Sequence, residues 1–229
     1  MKIYGFIFAR QGSTGLKNKN IKKFINKPLV EHTFNFAKKS KIFTKIFVST
    51  DSDRIKQIAK KNNITIINRP KKLSTKNSNE WDAWYHAIKD LHKKNDYFDI
   101  FVALPCTSPL RKKEDVVNSI KKLDKNVDIV LSATSSSKHP KFNMIKMNKK
   151  GYADIYQRNK ENFFRRQDVD KIYNLIGTSY VCRPEYITSN NYLFDGKVKV
   201  NLIPEIRSSD IDNLLDFKIA EYLYKKINK

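Results

Sequence analysis

Strand-like runs and stretches of helical spacing alternate along this chain, and that alternation limits the folds open to it more than any other feature. Residues 2–9, "KIYGFIFA", form a short apolar run rich in β-formers, as a buried parallel strand requires. After a polar loop, "KPLVEHTFNFAKKS" sets Leu29, Val30, Phe34 and Ala37 near helical spacing, with Pro28 suited to a first turn. "KIFVSTD" predicts a second strand, "SDRIKQIAKKNN" a helix that Ser52 is placed to cap, and "ITIINRP" a third strand ended by Pro70. The pattern resumes with a helix in "NEWDAWYHAIKDLHKK", a strand in "DIFVALP", a loop and helix in "TSPLRKKEDVVNSIKKLDK" and a strand in "VDIVLSAT". Such alternation predicts an α/β fold, a doubly wound, mostly parallel sheet with helices on its faces. Residues 135–172 break the period with polar turns and read as an inserted arm built of hairpins. "IYNLIGTSYVCRPEYI" returns to strand and helix, and the tail sets Leu215, Ile219, Leu223 and Ile227 on one helical face. One domain spanning residues 1–229, with an arm at about 135–172, accounts for the whole pattern.

In an open α/β sheet a ligand sits beyond the carboxyl ends of the strands, where the first βα loop reaches it. Here that loop is "RQGSTGLKNKN". It carries no G-x-x-x-x-G-K-[ST] and no G-x-G-x-x-G, which sets aside the Walker loop and the dinucleotide fingerprint. Gly12 and Gly15 let the backbone turn sharply and approach an anion, and Arg10 and Lys19 supply charge, an arrangement suited to a triphosphate and equally to a basic surface turn. A second feature separates the two. "SSDID" places Asp210 and Asp212 at i and i+2, on one side of an extended segment, as hard cations such as Mg²⁺ favour. Alone, Asp-x-Asp also suits the start of a helix. Together with an anion-binding loop it points to metal-assisted nucleotidyl transfer.

Charge enters the argument as a competing explanation. The formal net charge of +23 would suit a nucleic-acid-binding module, with Trp81, Trp84 and Phe163 to stack on bases. Of 46 basic residues, however, nine are arginine, and the lysines are spread along the chain in pairs, which reads as solvated faces. Trp81, Trp84 and His86 read instead as the packing side of one helix. His32 reads as a helix-face residue and His92 as a solvated helix end. No nucleic-acid partner is expected. Cys106 and Cys182 have no metal-ligand spacing and read as small apolar residues. No apolar run approaches the ~18 residues of a membrane span, and "MKIYGFIFAR" reaches its loop too soon for a signal peptide. A cytoplasmic protein without membrane contact is expected.

Nine motifs stand in order along the chain: "ARQGSTGLKNKN", the "KPL" helix, "VSTDS", Arg69-Pro70 followed by Leu73, "TSPLR" (107–111), His139-Pro140, "RRQD" (165–168), Gly177 with Tyr180, and "SSDID". They carry a resemblance to the acylneuraminate (CMP-sialic acid synthetase-like) cytidylyltransferase family. It implies a Rossmann-like nucleotidyltransferase that joins CMP from CTP to a nonulosonic 2-keto sugar acid and releases pyrophosphate, with Mg²⁺ as cofactor. Carried over by position, Arg10, Ser13, Lys19 and Asn20 would line the triphosphate together with the loop glycines Gly12 and Gly15. Arg69 would help hold the nucleotide, and Asp210 and Asp212 would bind the metal. Arg10, Lys19, Asp210 and Asp212 would thus carry catalysis, and Arg166, Gln167 and Tyr180 would face the sugar. The arm would dimerise two copies and complete the partner's sugar pocket. Departures from the family pattern cluster on the sugar side: Pro105 where a glutamine is usual, Asn174 for an arginine and Ile176 for an asparagine. Lys76 for an aspartate and Thr14 for a second loop lysine lie elsewhere. Cytidylyl transfer to a different acid, a phosphonate or another 2-keto acid, is the alternative.

Overall fold

The protein is described from a computed structural model covering residues 1–12, 15–158 and 165–227, with the backbone but not the side chain of Arg166. In chain order, β1 (Ile3–Phe8) leads through the two-residue strands β2 (Lys23–Phe24) and β3 (Lys27–Pro28) to α1 (Leu29–Ser40). There follow β4 (Lys45–Thr50), α2 (Asp53–Lys61), β5 (Thr65–Asn68), α3 (Glu80–His92), β6 (Ile100–Ala103), α4 (Lys113–Lys122) and β7 (Ile129–Ser135). A hairpin of β8 (Ile145–Met147) and β9 (Ala153–Ile155) occupies the predicted insertion. The chain then returns through β10 (Tyr173–Cys182), α5 (Pro184–Ser189), β11 (Val198–Leu202) and α6 (Leu214–Ile227).

Seven strands form one sheet in the order β11-β7-β10-β6-β1-β4-β5, parallel except for β10, which runs antiparallel to β6 and β7. The two-residue period of β1 divides the core. Tyr4 and Phe6 point into one layer with Phe47, Phe101 and the α3 residues Trp81 and Trp84, while Ile7 and Ala9 point into the other with Val30 and Phe34 of α1 and Ile55 of α2. Helices therefore cover both faces, as a doubly wound sheet demands. The local signals agree with this arrangement. Ser52 accepts from Ile55 N and caps α2, and Asn79 accepts from Trp81 N at the start of α3.

Because β1 lies between β4 and β6, the strand order reverses there, and a crevice opens beyond the ends of β1 and β6. On its far side, β10 shifts register between Ile176 and Tyr180. Ser132 Oγ receives Ser179 N (3.2 Å) and donates to Ser179 O (3.0 Å), so the irregular backbone is paired although buried. The tail departs from the simplest reading of its pattern. α6 packs through Phe217 and Ala220 against Phe24, Leu29 and Ile211, while Leu215 and Ile219 face solvent. Aromatic complementarity with Phe24, whose ring meets Phe217 and Tyr224 edge-on, decides which side of the helix is covered.

Candidate active site

The loop after β1 leaves the sheet once Ala9 N has bonded Ser49 O (3.1 Å), and Arg10 then turns outward. Gly12 takes φ +76°, a region open to glycine, and Asn18 takes the left-handed conformation before a short 3₁₀ turn at Lys19–Ile21. That turn aims Lys19 at the Asp-x-Asp segment. Its ammonium donates to Ile211 O and lies 3.1 Å from Asp212 Oδ1. The loop closes on the same segment at Gly15, where a Cβ would collide with the Asp212 carbonyl oxygen. Asn20 Nδ2 donates to Arg10 O (3.3 Å), and Arg10 Nη1 donates to Ser74 O (3.4 Å).

The Asp-x-Asp segment alternates as an extended chain should. Ile211 is fully buried against Phe24 and Phe217, and its N–H bonds Thr107 O (3.0 Å), while Asp210 and Asp212 are exposed. Asp216 fixes the backbone beyond by accepting from Asp212 N (2.9 Å) and Asn213 N (3.0 Å) at the start of α6. Arg69 is 8% exposed. Its Nε and Nη2 bond Ser49 Oγ (3.1 Å) and Ser49 O (2.9 Å), and its guanidinium lies over the Phe8 ring at 5.5 Å. Burial pushes its pKa down to about 10, a fall that the Glu80 and Asp51 charges oppose.

These elements enclose a cleft of about 410 Å³ lined by Arg10, Gly15, Lys19, Asn20, Arg69 and Asp212. Phe8, Glu80, Pro105, Cys106 and Thr107 complete much of the wall. Gly12 belongs to an adjoining hollow of about 300 Å³ that shares Arg10 and Asn20. Asp210 stands beside Gly177, with its Oδ2 3.6 Å from the position of a Cβ there. Tyr180 is partly buried against Trp84, ring centroids 5.2 Å apart, and burial together with the Glu80 and Asp210 charges raises its phenol. Gln167 does not join this group: it lines a separate hollow of about 530 Å³ with His139 and Tyr173, because its short 3₁₀ turn lies at the foot of the arm. Ser13 and the Arg166 side chain lie outside the described residues. A groove of about 570 Å³ between α1, the start of α4 and the end of α6 contains none of the predicted residues.

Glu80 was not singled out by the sequence. It is the first residue of α3 and is exposed to the cleft, yet surrounding protein raises its carboxyl pKa against the pull of Arg69. The signal present in the sequence was the capping residue Asn79, since a helix begun there directs its first turn at the strand ends. Trp81 and Trp84 are 7% and 2% exposed within the core, so neither offers a free face to a base; Phe163 lies outside the described residues.

Among the described residues no three His, Cys, Asp or Glu side chains converge as a metal cage. Two exposed carboxylates fit Mg²⁺ nonetheless. That ion binds through one or two carboxylates completed by substrate phosphates and water.

A family model described as cytidylyltransferase matches residues 4–226. The chain is 30% identical to the post-translational flagellin modification protein B of Campylobacter coli, over 97% of this chain and 94% of that protein. It is 28% identical to the pseudaminic acid cytidylyltransferase of Campylobacter jejuni, over 98% and 97%. An N-acylneuraminate cytidylyltransferase of Streptococcus agalactiae is 31% identical over 95% of this chain, which spans only 52% of that relative. Among solved structures, a CMP:2-keto-3-deoxy-manno-octonic acid synthetase complexed with CTP shares the fold at TM-score 0.73 and 16% identity, covering 99% of this chain and 100% of that one. The crevice at the reversal of strand order and the near end-to-end family match lead to one conclusion: the chain belongs to the cytidylyltransferase family.

Proposed function

We propose that this protein transfers the cytidylyl group of CTP to the hydroxyl of a nonulosonic, sialic acid-like 2-keto sugar acid, as a Mg²⁺-dependent homodimer. The observation that carries the reading is the contact of Lys19 with Ile211 O and Asp212, which joins the anion-binding loop to the Asp-x-Asp segment in one cleft. The sugar hydroxyl attacks the α-phosphorus, the bond from that phosphorus to the bridging oxygen breaks, pyrophosphate leaves, and the hydroxyl proton passes to solvent. Arg10 and Lys19 hold and neutralise the phosphates, and the glycine loop brings its backbone N–H groups to them. Arg69, fixed by Ser49, orients the nucleoside. Asp210 and Asp212 would hold Mg²⁺, which when bound supplies charge neutralisation on the phosphates.

The choice of acceptor class draws on the relatives named for neuraminic and pseudaminic acids. A second reading, transfer to another acid, draws on Pro105, which lines the cleft and offers no side-chain hydrogen bond there. Pyrophosphate release with CTP and a panel of nonulosonic acids, other 2-keto acids and phosphonates separates the two. Asp210→Ala and Asp212→Ala should each lower kcat/KM about 10²-fold or more; full activity in both refutes the metal assignment.

A further inference from the structure

Discriminating cytosine from uracil is a hydrogen-bonding problem with a defined answer. Cytosine presents an N4 amine that donates and N3 and O2 that accept; uracil presents O4 in place of the amine and an N–H at N3. A site that selects cytosine therefore needs an acceptor opposite N4 and a donor opposite N3 or O2.

One stretch of the cleft wall supplies both. Between β5 and α3 the lining comes from Leu73, Ser78, Asn79 and Glu80, with Arg69 beside them. Ser78 Oγ donates to Lys72 O (3.0 Å) and receives Thr75 N (3.0 Å), and Asn79 Oδ1 receives Trp81 N (3.1 Å). The Asp212 carboxylate is engaged by Lys19. Glu80 is different. Arg69 and the Trp84 indole N–H, buried without a partner at hydrogen-bond geometry, bear on its carboxylate, but among the described residues it makes no ion pair. Arg69 is complementary to it: Ser49 occupies Nε and Nη2, and Nη1 makes no hydrogen bond among the described residues. An acceptor and a donor thus face one cleft, charged toward each other and not closed into a pair.

We infer that Glu80 accepts the N4 amine of the cytosine base while Arg69 donates to its N3–O2 edge, so that Glu80 sets the preference for CTP over UTP. This rests on the cytidylyl-transfer reading above. Uracil would turn O4 onto a carboxylate and N3–H onto a guanidinium, two repulsive contacts where cytosine makes two attractive ones.

The test is calorimetric titration of CTP and UTP without acceptor, so that no turnover occurs. Wild type should bind CTP at least tenfold more tightly than UTP. Glu80→Gln, whose amide can turn its N–H to O4, should reduce that ratio at least fivefold by weakening CTP and strengthening UTP. Glu80→Asp keeps the acceptor one methylene further back and should weaken CTP several-fold with UTP unchanged. An unaltered ratio in Glu80→Gln, or equal weakening of both nucleotides in Glu80→Asp, overturns the assignment. A wild type that binds neither nucleotide overturns the parent reading and this inference with it, whereas a wild type selective for CTP with an unaltered Glu80→Gln overturns this inference alone.

Discussion

Lys19 and Gly15 show how single residues bring two distant stretches of chain together. The Lys19 side chain is 12% exposed while its partner Asp212 is 78% exposed, so the lysine is the anchored member and the carboxylate the one open to ligand. Lys19→Ala should lower kcat/KM for CTP about 10²–10³-fold, the range for removing one preorganised donor from a site of developing negative charge, and steady-state kinetics check it. Gly15→Ala should push the loop off Asp212 and weaken CTP at least tenfold in a binding titration, because the obstacle is backbone and not a flexible side chain. Glu80 yields a prediction of opposite sign for stability. Although it opens to the cleft, the protein around it desolvates and so raises its carboxyl, opposed by Arg69 and Trp84 and reinforced by Asp210. Its contribution to stability is thus present below the unfolded pKa and is lost as pH rises through the higher folded value. Glu80→Gln should unfold at higher temperature than wild type at about pH 7, with the difference vanishing once the pH falls well below about 4. Calorimetric scans that show a pH-independent difference would contradict it.

Among the elements, α4 and the segment before α6 hold the Asp-x-Asp carboxylates in place. Asp115, at 3% exposure, accepts from Lys112 N (2.8 Å) at the start of α4 and takes a two-pronged contact from Arg207, Nε to Oδ2 at 3.1 Å and Nη2 to Oδ1 at 2.7 Å. Arg207 lies three residues before Asp210, so this pair ties the Asp-x-Asp segment to a helix of the sheet's outer layer. Removing one partner of a buried pair leaves an uncompensated charge. Arg207→Met should therefore cost about 3–5 kcal/mol in urea unfolding, and a loss below about 1 kcal/mol would mark the contact as an ordinary surface pair. Ile211 supplies the complementary apolar anchor. With its side chain in the Phe24–Phe217 core and its N–H on Thr107, it leaves the aspartates on either side facing outward.

On the scale of the whole molecule, the exposed apolar surface has a pattern. Ile145 and Met147 of β8 are 67% and 71% exposed, and the exposed Tyr152 and Tyr156 flank β9. Leu175 of β10 and Leu202 of β11 both align with Ala133 of β7, which sets these two exposed leucines on either side of it in the sheet. Exposed apolar surface of this kind is characteristic of interaction sites and supports the proposed dimer. Sedimentation of the Ile145→Asp, Met147→Asp double variant should show a monomer where wild type sediments as a dimer; an unchanged sedimentation coefficient would move the interface elsewhere. Both tryptophans face the core.

The α/β architecture was legible in local pattern alone. Strand and helix periods are local properties, written in the spacing of residues such as Tyr4, Phe6 and Ile7 or Val30, Phe34 and Ala37, and a capping serine such as Ser52 acts within a few residues of itself. Long-range packing settled what no local pattern encodes. It brought Asp212 to Lys19 across 193 positions, turned Leu215 and Ile219 of α6 outward because Phe24 favours Phe217 and Tyr224, left Gln167 in a hollow at the foot of the arm, and set Glu80 beside Arg69. Each of these depends on which distant surface packs where. That choice is made by the shape and polarity of a three-dimensional contact, and the order of residues along one segment does not contain it.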